Sequence, residues 1–160
     1  MRVEVAREAS TMVLLACIAW VASSRAMGRL ASFFLVFGIW DITFYFWLRV
    51  LIGWPASLMT WDLLFLIPVP WSAPVLAPVL VAACMALFGT VTLLRESKRS
   101  MLGAIALVLA GFAVTYVAFV WNSGLLLAGG VPGKFPWILF SVGVALLLAS
   151  SGLTSRTQRN

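Results

Sequence analysis

Histidine is missing from this chain altogether, and its 160 residues include only five acids and two cysteines. The lack of imidazole excludes haem ligation through histidine, the HExxH zinc arrangement and a histidine general base. Cys17 and Cys84 both lie in apolar stretches, where a thiol packs as a small hydrophobe, so neither a disulfide framework nor a redox compartment follows. Charge of either sign is scarce, at 10% of residues, where an ordinary globular chain carries about a quarter. What fills the chain instead is 63% hydrophobic residues, with a mean hydropathy of +1.08. A chain of this length leaves much of its surface in contact with its surroundings, so the surroundings must be lipid. A soluble enzyme and a disordered chain are excluded. So is a nucleic-acid binder, despite the net charge of +6, because the eleven Lys and Arg fall between apolar runs rather than in one patch.

About twenty apolar residues carry a helix across the ~30 Å hydrocarbon core. Stretches of that kind predict five transmembrane helices, at about 10–24, 30–53, 73–94, 101–121 and 135–151, in a single all-α membrane domain covering residues 1–160. Ser72 and Pro74 suit the start of the third helix and Pro136 that of the fifth, since proline in a first turn forfeits no intrahelical hydrogen bond. The first segment does not read as a cleaved signal peptide, because Glu4 and Glu8 cancel the charge of Arg2 and Arg7. With that segment retained, Arg25, Arg29, Arg95, Lys98, Arg99, Arg156 and Arg159 share one side, which the positive-inside bias makes cytoplasmic. The expected placement is the cell membrane, N-terminus outside and C-terminus inside. Trp47, Trp54, Trp61, Trp71, Trp121 and Trp137 then fall at outer helix ends, as an interfacial belt that anchors them in lipid.

Residues 54–74, WPASLMTWDLLFLIPVPWSAP, are too apolar for a solvated loop. Pro55 opens a helix in this reading and Pro68 and Pro70 end it. The thirteen residues 55–67 would rise only ~20 Å, which predicts an outer-side helix that is interfacial or re-entrant. Small residues at four-residue spacing (Ala82, Ala86 and Thr90; Ala106 and Ala110; Ser141, Ala145 and Ala149) mark faces that let helix backbones approach closely.

Two motifs imitate chemistry. AGGVPGKF, residues 128–135, has the glycines and Lys134 of a phosphate loop, but Phe135 stands where a Ser or Thr should hold magnesium and no strand precedes it. Asp41 and Asp62 each stand alone, whereas the magnesium–diphosphate sites of membrane prenyl or phosphatidyl transferases need several aspartates at close spacing. Five crossings, this length and eight tryptophans resemble the tryptophan-rich sensory proteins. Their long Pro- and Trp-rich connection follows the first helix, whereas here it follows the second, so no family is assigned.

Asp41 is the energetic anomaly. It lies mid-way along the second apolar run, where an ionised carboxylate is expensive. At 100° per residue, Asp41, Tyr45 and Arg49 share a polar stripe running toward the outer end, with Tyr45 placed to donate to the Asp41 carboxylate. Trp54, Trp61, Asp62 and Trp71 form a second candidate cluster, at the outer face. Neither group is a catalytic constellation, and no metal or other cofactor is implied. The expectation is a noncatalytic accessory or structural subunit, in contact with the bilayer and with a membrane-protein partner or further copies of itself. A small proton- or cation-coupled transporter or channel using Asp41 is the alternative, and a membrane enzyme acting on lipid through Arg49, Asp62 and the tryptophans is the third reading.

Overall fold

The computed structural model describes residues 2–94 and 101–155. Along the chain come α1 (Arg2–Ala22), α2 (Ala26–Ile52), β1 (Trp61–Phe65), β2 (Trp71–Pro74), α3 (Leu76–Leu94), α4 (Met101–Val120), α5 (Ser123–Leu127) and α6 (Trp137–Ser155). Among the described residues four helices are long and apolar enough to cross a membrane: Val3–Ala22, Ala26–Ile52, Leu76–Leu94 and Leu102–Leu127, the last combining α4 with the short α5. A further apolar stretch, Trp137–Leu153 of α6, is shorter.

Helix α1 begins well before the expected start near residue 10, because its polar first turns satisfy themselves. Arg7 Nε donates to Glu4 Oε1 one turn back at 2.9 Å, and Thr11 Oγ1 donates to the Arg7 carbonyl at 2.9 Å. Counting apolar residues alone missed these turns. Helix α2 stops at Gly53, whose φ of 72° is a left-handed conformation that glycine adopts without a Cβ penalty. The Gly53 amide donates to the Arg49 carbonyl at 3.1 Å.

The expected helix over 55–67 is absent, which corrects the all-α reading. The chain forms an antiparallel hairpin, pairing Trp61 with Pro74, Asp62 with Ala73, Leu63 with Ser72 and Phe65 with Trp71. Pro68 and Pro70, read above as helix terminators, lie in the connection between the strands, where a missing N–H costs no ladder bond. Ser72 and Pro74 therefore belong to β2, and α3 starts only at Leu76. The ladder continues past the strands, with Val75 N–H donating to Thr60 O at 2.9 Å and Leu76 N–H to Leu58 O at 2.8 Å. A two-stranded hairpin pairs only the backbone groups that face the partner strand, and just beyond β1 Glu8 accepts the Leu66 amide.

Laterally, α1 packs on α2, α2 on α3, α3 on α6, and α6 on α4. Glycine sets the two closest seams. A Cβ at Gly38 would strike the Ala82 carbonyl and the Ala86 amide, and one at Gly89 would strike Ala31 O and Leu35 N, so α2 and α3 touch backbone to backbone. Gly111 and Gly143 do the same for α4 and α6. The small residues of α3 thus lie in a seam, while Ala106, Ala110, Ser141, Ala145 and Ala149 are exposed on outward faces.

The N-terminal turns of α1, the C-terminal end of α2, the hairpin and the start of α6 gather at one end of the bundle. Glu8 reaches Leu66, Tyr45 reaches Asp62, and Trp61 meets Phe135. At the other end Arg29 donates from Nε to Ser23 O at 2.9 Å and stacks its guanidinium 3.5 Å from the Trp20 ring centre. Arg25 lies at the same end, just before α2; the other cations assigned to that side, Arg95, Lys98, Arg99, Arg156 and Arg159, lie outside the described residues.

Candidate functional site

Helices α1 to α4 and the hairpin line a half-open cavity of about 490 Å³. Its walls are overwhelmingly apolar: Ala9 and Met12 from α1, Phe33, Phe34 and Phe37 from α2, Phe65 and Trp71 from the hairpin, Val81 and Met85 from α3, and Phe112, Tyr116 and Phe119 from α4. The aromatic lining follows from local sequence. Phe33 and Phe37 are four apart on one face of α2, as are Phe112 and Tyr116 on α4, so each pair projects into the same space. Phe34 closes on Phe112 with ring centres 5.3 Å apart, and Trp71 sits 5.0 Å from Tyr116, edge to face.

Two acidic residues border this lining, Glu8 from α1 and Asp41 from α2; among the described residues no Lys or Arg borders it, and Arg7, the sequence neighbour of Glu8, lines the adjoining recess. Glu8 is only 5% exposed. Both its oxygens accept from the single Leu66 N–H, at 3.1 and 3.2 Å, which straps α1 to the hairpin. Sequence reading used Glu8 only as a charge offsetting Arg7. The legible signal was its position one helical turn after Glu4 at the head of an apolar run, but nothing local announced an acceptor for an amide 58 residues away. Trp71 Nε1 is buried with no hydrogen-bond partner among the described residues.

The expected polar stripe divides three ways. Asp41 faces the cavity. Tyr45 does not donate to Asp41; its hydroxyl donates to Asp62 Oδ2 on β1 at 2.7 Å. Asp62 fixes itself further by accepting from the Leu63 amide at 2.8 Å through Oδ1. Arg49 turns to the helix end, where Nη1 donates to Gly53 O at 2.6 Å and Pro55 O at 3.0 Å. The periodicity put all three on one side of α2, but the hairpin and the helix terminus supplied nearer partners for two of them.

The outer-face cluster also separates. Trp54 and Asp62 both meet Tyr45, the former with ring centres 6.2 Å apart. Trp61 instead packs on Phe135. Trp71 lines the cavity and stacks on Phe119 at 6.2 Å. Of the tryptophans expected in a lipid belt, Trp47 and Trp121 are exposed at 55% and 62%, whereas Trp61, Trp71 and Trp137 pack against the hydrophobic core.

Beside the large cavity lies a smaller polar one of about 190 Å³, bounded by Glu4, Arg7, Thr11, Tyr45, Trp54 and Asp62 among others. The two cavities share Glu8, Leu64 and Phe65 as walls. Glu8 therefore stands where a polar recess adjoins an apolar one. Chemically, the arrangement suits binding of a molecule with an apolar body and a polar head, and it offers no nucleophile–base pair. Comparison with family models, with curated proteins and with solved structures finds no match.

Proposed function

We propose that this chain is a noncatalytic multi-pass membrane protein that crosses the bilayer five times, with its N-terminus outside, and binds an amphiphilic small molecule or lipid in the cavity between α1, α2, α3, α4 and the hairpin. The cavity carries this reading. Its volume falls within the range of about 300–1,000 Å³ typical of ligand sites, and its makeup of aromatic walls with a few polar groups is typical too. Five crossings are supported by α6, whose 19 residues rise about 28 Å. The hairpin end then faces outward, and the polar recess beside Glu8 is the route of entry. A second reading, an accessory subunit within a larger membrane assembly, is favoured by the outward small-residue face of Ser141, Ala145 and Ala149 on α6.

The test is saturable binding of a neutral solvatochromic dye to the full chain in phosphatidylcholine nanodiscs, with empty nanodiscs as blank. Ala9→Trp adds bulk at the cavity wall without replacing a buried side chain, and it should abolish the saturable component. Binding no greater than that of empty nanodiscs, both for this dye and for a cationic dye of similar size, or binding unaffected by Ala9→Trp, would refute the cavity as a site.

A further inference from the structure

The apolar cavity contains two acidic side chains and no basic one, and this charge pattern decides what kind of polar head it can take. Glu8 and Asp41 come from different helices, and both line the same space as the aromatic rings of Phe37, Trp71 and Tyr116. The nearest arginine in sequence, Arg7, hydrogen-bonds Glu4 and acts on Glu8 from the adjoining recess, so Asp41 is the acid left without a counter-charge. Glu8 accepts one shared N–H, although a carboxylate has about four lone-pair positions to satisfy. Asp41 makes no hydrogen bond among the described residues, in contrast to Asp62, which has two partners.

We infer that the ligand of this site is a lipophilic cation, an apolar body bearing an ammonium or equivalent positive centre. The inference rests on the cavity being the binding site and deepens that reading. An anionic head would be repelled by Asp41, which has no partner among the described residues, and by Glu8, and a site of low dielectric strengthens that repulsion. A neutral head leaves Asp41 without a partner. A positive centre supplies the missing counter-charge, and the aromatic walls attract it further, since the face of an aromatic ring is negative. The polar recess on the other side of Glu8 is where a hydrated cation would approach the site. The positive charge of such a ligand is what the site selects; its particular scaffold is set by the shape of the aromatic walls.

The experiment uses the full chain in phosphatidylcholine nanodiscs with tritiated tetraphenylphosphonium as probe and its neutral isostere tetraphenylsilane as competitor. The expected result is saturable binding of the cation, displaced by unlabelled cation and not by the silane. Its affinity should fall about tenfold or more in the double variant Glu8→Gln, Asp41→Asn, whose melting temperature serves as the check on folding. Equal displacement by the silane on the unmodified chain would overturn the inference and leave the cavity reading intact, as would saturable binding of the neutral dye without any of the cation. Absence of saturable binding by either probe would bring down both. The competition needs no variant, so a double variant that fails to fold does not shield the inference.

Discussion

At the scale of single residues, the polar groups of this chain divide into those with protein partners and those without, and the division separates structure from site. Tyr45 and Asp62 satisfy one another across elements at 2.7 Å. Tyr45→Phe removes the donor and should lower stability by about 1–2 kcal/mol, measured by reversible unfolding in mixed micelles. Glu8→Ala strands the half-buried Leu66 amide and should cost about 1–3 kcal/mol by the same measure, while Glu8→Gln, which keeps an acceptor oxygen, should recover most of it. Asp41 behaves oppositely. It makes no hydrogen bond among the described residues, so Asp41→Asn and Asp41→Leu should leave the unfolding free energy unchanged or raised; a loss comparable to that of Tyr45→Phe would show that Asp41 has a structural role instead.

At the scale of elements, backbone proximity and backbone pairing do most of the organising. The α2–α3 seam depends on Gly38 having no side chain, because any Cβ there meets backbone of Ala82 and Ala86 rather than a movable side chain. Gly38→Leu should therefore prevent the two helices from seating, seen as loss of the folded monodisperse species on size exclusion. Gly53→Ala has open space around its Cβ and a strained φ only, and should cost about 1 kcal/mol. The hairpin makes a prediction that the helix expected over 55–67 does not. Leu63 and Ser72 face each other in the ladder, yet Leu63 is 50% exposed and Ser72 only 2%. In a background lacking Cys17 and Cys84, a cysteine at 63 should react with an impermeant thiol reagent at least about tenfold faster than one at 72. Equal rates at the two positions would contradict the hairpin's burial.

At the scale of the whole molecule, the alternation of helices places the hairpin with the start of α1 and opposite Arg25 and Arg29. With the N-terminus outside, a C-terminal fluorescent protein fusion should fluoresce and a C-terminal alkaline phosphatase fusion should be inactive; the reverse pair would invert every statement of sidedness. Composition alone determined that the solvent is lipid, because this much apolar surface has nowhere else to go, and the lengths of the apolar runs located α2, α3, α4 and α6 to within a few residues. Those are properties of single segments, and single segments are what sequence reports. The proline-bearing stretch after α2 was legible as too apolar for water but not as a hairpin, since pairing of β1 with β2 is a choice between partners that no local pattern encodes. The same holds for Gly111 and Gly143, which carry the α4–α6 seam although more regular alanine stripes flank them. Tyr45 was expected to serve Asp41 because both lie on one helical face, and it serves Asp62 because the hairpin brings a carboxylate within hydrogen-bond reach. Which carboxylates end up satisfied, and which are left facing an aromatic cavity, is decided only when the helices pack, because a buried polar group takes whichever partner the tertiary fold carries closest.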